Sequence, residues 1–411
     1  MRLPSTALSS LNRAVVLGGV LLVGLLGERS AQAIPAFARE YNVSCSTCHT
    51  LVTRRNEFGD AFRRAGYHWP GGDGSDQSSR AMPPVEMKGQ ALGTGLLPVR
   101  PPIALVTTFS GSYTTDTTTP NKTAVGSPSV NFVFGGPLSK RIGFFGAWSG
   151  QGSPSELSFT WTRPIKNRPE LNFRFGLFEQ STTLFKNNES LLGGYQLGTS
   201  TISGHAVSMG RIGGEAGGIL WDRTTWAAGW VANQGAGAPQ DVYYQLGHRF
   251  GGTSYTGKEP DVDLESSSVL DDLSVVVSHW GYYGRIRSDS GITTQRPLRF
   301  GLDTQIRYKN LSVWGGMMFG RDHYRPTLAA ASWDNKSLTW FTEGDWFINP
   351  WMALIYVYQY QDATSLRQEV QLHQVGLVGI LMENLRVRLK GGYTPDRIKN
   401  DVIDLQVLLA F

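Results

Sequence analysis

The chain has 411 residues, 40% of them hydrophobic and only 17% charged, with 49 glycines, 12 tryptophans and two cysteines. Two cysteines exclude a disulfide framework, and a slightly negative mean hydropathy excludes a bundle of transmembrane helices. The net charge of +5, from 38 Lys and Arg against 33 Asp and Glu, makes no case for nucleic acid.

Residues 1–33 read as a secretory signal peptide. Arg2 and Arg13 flank the start of an unbroken apolar run, Ala14 to Leu26, and Ala31-Gln32-Ala33 supplies a small-x-small cleavage site. A bilayer span takes about 20 apolar residues, and this run is shorter. The expectation is export by the Sec pathway of a Gram-negative type cell, with cleavage after Ala33.

Both cysteines fall in Cys45-Ser46-Thr47-Cys48-His49. C-x-x-C-H is the spacing for covalent attachment of a c-type haem: two thiols one short turn apart meet the two vinyl groups, and the adjacent histidine reaches the iron. The redox C-x-x-C alternative needs a βαβ context that is absent here. One covalent haem c is therefore expected, on Cys45 and Cys48, with His49 as the proximal ligand of its iron. For the sixth ligand the candidates are His68, Met82 and Met87, and the residue types do not choose between them.

The flanks predict a small α-helical c-type cytochrome domain over 34–85, followed by a linker at 86–101. Pro35 suits a first helical position, and Phe37 and Tyr41 share one face. Asn56 is a cap for a helix whose Phe58, Ala61, Phe62 and Ala65 form an apolar stripe, and Gly66 stops it. Arg54, Arg55, Arg63 and Arg64 take the other faces. They are either a solvated surface, or they offset haem propionates or line a polar channel.

From residue 102 to 411 the pattern changes to period two, mainly β. Leu298, Phe300, Leu302, Thr304, Ile306 and Tyr308 interleave with Arg299, Gly301, Asp303, Gln305, Arg307 and Lys309, and Ile403, Leu405, Val407 and Leu409 alternate to the terminal Phe411. Segments of about ten residues with aromatic ends and turns between them predict a transmembrane antiparallel β-barrel in the outer membrane. Strands are expected to begin near 102, 129, 141, 156, 171, 213, 225, 241, 271, 296, 311, 337, 351, 368, 385 and 402, about sixteen in all, with 86–95 also strand-like. Long connections at 115–128, 181–212, 285–295 and 321–336 belong outside the cell; tight ones after 221, 308, 347 and 381 belong in the periplasm. The stretch 251–270 is too long for its periplasmic place. The inward set includes Arg174, Arg299, Asp303, Arg307, Glu343, Asp345, Arg386, Arg388 and Lys390. His205, His248, His279, His323 and His373 lack metal-ligand spacing and are given no role, and no hydrolase or nucleotide motif is present.

Pro35-Ala36-Phe37-Ala38-Arg39, the C-x-x-C-H pentapeptide, Phe58-Gly59, Phe62 and Gly66-Tyr67 together resemble the N-terminal pattern of fused monohaem cytochrome–porins. That family includes the outer-membrane iron oxidases of iron-oxidising bacteria. The resemblance covers about 35 residues and departs at Val52-Thr53-Arg54-Arg55 and Arg63-Arg64. It implies haem attachment at Cys45 and Cys48, axial ligation by His49, extracellular ferrous iron, Fe(II), as electron donor, and periplasmic electron carriers (a cytochrome or copper protein) as acceptors. Two other readings stay open: outward transfer to an extracellular acceptor, and a diffusion porin with a haem plug.

Overall fold

The alternation after residue 102 becomes sixteen antiparallel strands that close on themselves. The computed structural model describes Phe37, Tyr41 and residues 47–51, 54–68, 85–86, 96–97, 103–115, 122–139, 141–150, 152, 154–162, 171–185, 190–193, 197, 207, 210–232, 241–252, 254–255, 273–287, 294–325, 332–363, 369–382, 385–393 and 401–410. The barrel strands are β1 (Ile103–Thr115), β2 (Ser129–Ser139), β3 (Ile142–Ser149), β4 (Pro154–Thr162), β5 (Asn172–Glu179), β6 (Gly210–Leu220), β7 (Thr224–Val231) and β8 (Asp241–Phe250). They continue as β9 (Leu273–Tyr283), β10 (Thr294–Tyr308), β11 (Leu311–Arg325), β12 (Trp333–Asn349), β13 (Met352–Ala363), β14 (Val370–Met382), β15 (Leu385–Tyr393) and β16 (Asp401–Ala410). Each begins within four residues of its expected start. Neighbours pair in chain order, and β16 closes on β1 with Leu405 opposite Gly111 and Val407 opposite Phe109. Phe411 lies outside the described residues.

The wall is inverted relative to a soluble sandwich. On β10 the inward Arg299, Asp303 and Gln305 are 1%, 2% and 5% exposed, whereas the outward Phe300, Leu302 and Ile306 are 43%, 52% and 39% exposed. Exposed Phe159, Trp161, Phe175, Leu354 and Tyr356 extend the apolar outer face over other strands. A closed barrel satisfies every ladder hydrogen bond internally, so it can present apolar side chains to hydrocarbon without exposing backbone. No helix among the described residues is long and apolar enough to cross a membrane; the crossing is made by strands. Leu302→Arg, at the middle of β10 on the lipid face, is expected to destabilise the barrel by about 2–4 kcal/mol in urea unfolding from vesicles.

Three features depart from the expected plan. Of the strand-like stretch near 86–95 only Glu86 is among the described residues, and there Val85–Glu86 pairs with Leu96–Leu97 as a two-stranded piece separate from the wall. The long connection after β8 does not shift a strand boundary. Gly251 and Gly252, at φ 64° and 61°, turn the chain, and the Tyr255 amide donates to the Asp222 carbonyl at 2.9 Å, so this turn is decorated. The described residues of the connection between β5 and β6, expected on the outer side, reach into the lumen. Its Phe185 sits edge-on to the inward Trp314 and Phe341, at 4.9 and 5.1 Å between ring centres, and Leu191 and Leu192 are fully buried with Ala353, Ile355, Val357 and Val378. Apolar side chains in a water-facing loop gain by reaching that inner patch, at about 25 cal/mol per Å² buried.

Candidate functional site

Thr47, Cys48 and His49 of the C-x-x-C-H motif lie inside the barrel, on a stretch tied to its wall. The helix that follows, α1 (Glu57–Arg64), begins where Asn56 caps it: Asn56 Oδ1 accepts from the Gly59 amide at 2.9 Å. Ala65 closes the helix, and Gly66 reverses the chain at φ 64°. The capping residue also ties α1 to the cysteine. The Asn56 amide donates to the Cys48 carbonyl at 2.9 Å, and its side chain donates to the Thr47 carbonyl at 3.1 Å. Gly59 is required there, because a Cβ at that position would stand 2.1 Å from the Cys48 oxygen.

His49 opens a two-residue-wide hairpin with Arg54–Arg55, and its Nδ1 lies 3.3 Å from the Arg54 carbonyl oxygen. A carbonyl can only accept, so Nδ1 carries the hydrogen and the lone pair is on Nε2. That is the tautomer an iron ligand requires, fixed by the hydrogen bond on the other ring nitrogen. Cys48 is half-buried and in no disulfide. The donor set on the described side of the motif thus fits a c-type haem. Cys45, Met82 and Met87 lie outside the described residues. His68 is buried with both ring nitrogens on backbone carbonyls, Nδ1 at 3.1 Å from Ala65 O and Nε2 at 2.8 Å from Ser139 O. Among the described residues no group of three or more His, Cys, Asp or Glu could hold a metal ion.

The described residues of 34–85 pack against the barrel wall. Phe37, Tyr41, Phe62 and Tyr67 stack with one another and with the inward Phe145 of β3, Phe37 to Tyr67 at 4.6 Å and Tyr67 to Phe145 at 5.2 Å. Leu51 joins the patch of Leu191, Leu192, Ile355 and Val378 on the far side. Gly143 of β3 meets the Gly66 backbone so closely that a Cβ there would stand 1.7 Å from the Gly66 oxygen.

Two ionic anchors complete the seating. Arg54, 2% exposed, donates to Glu343 and Asp345 of β12, and its guanidinium lies 4.7 Å over the Trp314 ring. Of the alternatives for Arg54, a solvated surface is excluded: it lies on the polar lumen wall, where two carboxylates take its guanidinium. Glu57 accepts from Arg249 of β8 at 3.1 Å and from Arg307 of β10. Arg307 belongs to the expected inward set, whereas the sequence alone does not mark Glu57 or Arg249; alternation along β8 is the signal for Arg249. Others of the inward set are paired as well: Arg174 with Glu215 at 2.8 Å, Arg299 with Asp322, and Arg388 with Asp404 at 2.7 Å.

Burial alone would raise the Glu57 carboxyl, but Arg307 and Arg249 outweigh it and hold it at about 2, against an ordinary 4.5. A depressed carboxylate contributes fully above its ordinary value and loses that contribution as pH falls through the folded one. The anchor should therefore be intact at pH 4 and lost near pH 2. Pepsin, active at both, is expected to spare residues 54–64 at the higher pH and cut them at the lower.

No protein-family model matches the chain, and no curated protein matches it in sequence. Solved structures do match in fold. An anion-selective porin from Comamonas acidovorans is similar at a TM-score of 0.55 and 9% identity, over 75% of this chain and 98% of that one. OmpF of Salmonella typhi, in complex with daunomycin, is similar at 0.53 and 10%, over 75% and 97%. The outer-membrane channel DcaP of Acinetobacter baumannii gives 0.51 and 10%, over 75% and 96%. The barrel has a porin fold. In this porin-type barrel the lumen holds described residues of the β5–β6 connection as well as Cys48, His49 and α1.

Proposed function

We propose that the protein is an outer-membrane barrel whose lumenal segment carries one haem c and passes electrons across the membrane. The observation that supports this reading is the seating of Cys48 and His49 inside the lumen, anchored to β8, β10 and β12. The apolar outer face and the N-terminal signal-like segment support the location. Cys45 and Cys48 would hold the haem and His49 would ligate its iron; once bound, it supplies a one-electron centre. Both His68 ring nitrogens already face carbonyls, which favours Met82 or Met87 as sixth ligand.

The hydrocarbon layer is roughly 30 Å thick, and electron tunnelling over that whole distance is slow. A redox centre held part-way divides the distance. The anchors hold Cys48 and His49 at one position in the lumen, and the packed aromatic cluster excludes water from one flank of the segment. The resemblance to cytochrome–porins supports extracellular Fe(II) as donor and a periplasmic cytochrome or copper protein as acceptor, which would make the protein an iron oxidase.

A second reading, a diffusion porin with a haem plug, is favoured by the porin fold itself. Covalent haem staining of the denatured polypeptide tests what the readings share: stain is expected in the native protein and absent in Cys48→Ala. Stain retained in the variant, or missing from the native protein, contradicts the attachment. Reduction of the haem by external Fe(II) then separates an electron carrier fed by iron from a plug.

A further inference from the structure

The lumen wall has two sides of different charge. From β5 to β10 every inward arginine meets a carboxylate: Arg174 has Glu215, Arg211 has Asp241, Arg299 has Asp322, and Arg249 and Arg307 share Glu57. The wall formed by β14 to β16 and β1 to β3 differs. Among its described residues, alternation turns four charged side chains inward: Arg386, Arg388 and Lys390 of β15 and Asp404 of β16. This side of the wall thus carries three cations against one carboxylate. Asp404 lies opposite Lys390 in register, but its carboxylate takes Arg388 at 2.7 Å. Among the described residues the Lys390 ammonium makes no hydrogen bond or ion pair.

This is also the wet side of the lumen. The inward Ser110, Ser112, Gln406, Asp404 and Lys390 are half-buried, whereas Arg299, Asp303, Glu343 and Asp345 on the other side are at most 2% exposed. The space tightens along β15 from Lys390 towards Arg386, which is 6% exposed beside an equally buried Leu408. Alternate residues of a strand are about 7 Å apart, so the three cations form a line of roughly 13 Å. Each step is shorter than the Debye length of about 10 Å at 0.1 M salt. Their potentials therefore overlap, and an anion leaving one cation is already drawn by the next. Low-dielectric walls focus that field most where the space is narrow, which is where Arg386 and Arg388 stand. Lines or rings of Arg and Lys favour anions in a pore by charge. Nothing on this wall is shaped to one molecule, so size and sign are what it selects.

We infer that the water-accessible side of the lumen, along β15, β16 and β1, conducts small inorganic anions and repels cations. The inference goes beyond electron transfer and needs no haem. The same charges would hold a ferrous donor, itself a cation, on the outside.

The test is the reversal potential of the native protein in planar bilayers under a potassium chloride gradient. Chloride is expected to be favoured over potassium severalfold. Lys390→Gln should lower that ratio by about twofold or more, and Lys390→Glu should bring it to one or below; the neutral variant serves if the acidic one misfolds. Arg386→Gln should lower the ratio as well. Lys309→Gln removes the same charge at the exposed turn after β10 and should leave the ratio unchanged. A native ratio at or below one, no ion current through the native protein, or a ratio unchanged in both Lys390 variants overturns the inference. Every variant should keep the covalent haem stain of the native protein, so selectivity and electron transfer are scored apart.

Discussion

Arg54→Met is expected to release the lumenal segment from β12. The substitution keeps much of the side-chain volume but leaves Glu343 and Asp345, both fully buried and two residues apart on one strand, facing each other without a cation. Removing one partner of a buried ionic set costs about 3–5 kcal/mol, since the remaining charge is uncompensated in low dielectric. That is a factor of 10² to 10³ or more in the population of the seated state. The measurement is twofold: trypsin cleavage at Arg55, Arg63 and Arg64 should rise, and the barrel should conduct more in planar bilayers. Restoring neutrality with Glu343→Gln and Asp345→Asn in the same chain should recover much of the protection. An Arg54→Met protein with native protection and conductance would mean that the anchor does not hold the segment.

Gly143→Ala probes the same seating from the wall. Its methyl would stand 1.7 Å from the Gly66 carbonyl oxygen, a contact with backbone that no rotamer change relieves. Gly66 cannot easily move away, because it occupies the left-handed region at φ 64° and its own neighbours are Thr160 and Thr162. Overpacking of this kind costs about 1–3 kcal/mol, carried here by the seated segment rather than by the strand ladder. Haem content per barrel and trypsin resistance should fall together while the barrel remains folded. Gly344→Ala is the control, since a Cβ there meets nothing within 4 Å. It should change neither quantity.

The barrel was largely legible in the sequence. Alternation on β10 and β16 assigns each side chain to lipid or lumen, and a wall strand has few other choices once one face is apolar. The proposed haem attachment reads directly from the sequence, because its chemistry is compressed into five adjacent residues. Partner choice was not. Arg54 and Glu343 are separated by 289 positions, and period two shows that Glu343 points inward without showing what meets it. Arg54 reads as a surface residue because arginine usually is one; here the surface it meets is the inside of a barrel. Glu57 looks like an ordinary acidic residue in a helix's first turn, where the helix dipole alone accounts for it. Its pairing with Arg249 and Arg307 depends on where α1 sits in three dimensions. The signal for the inward reach of the β5–β6 connection is the apolar Phe185, Leu191, Leu192, Leu197 and Val207, which a loop in water would not bury.

Electron passage through the seated segment is tested most directly in liposomes. The protein is reconstituted with a soluble cytochrome trapped inside, and Fe(II) is presented outside on a carrier too large for the lumen. The account predicts that the trapped cytochrome is reduced through the native protein and not through Cys48→Ala, with equal barrel content in both. No reduction through haem-loaded native protein, or equal reduction through Cys48→Ala, would contradict it.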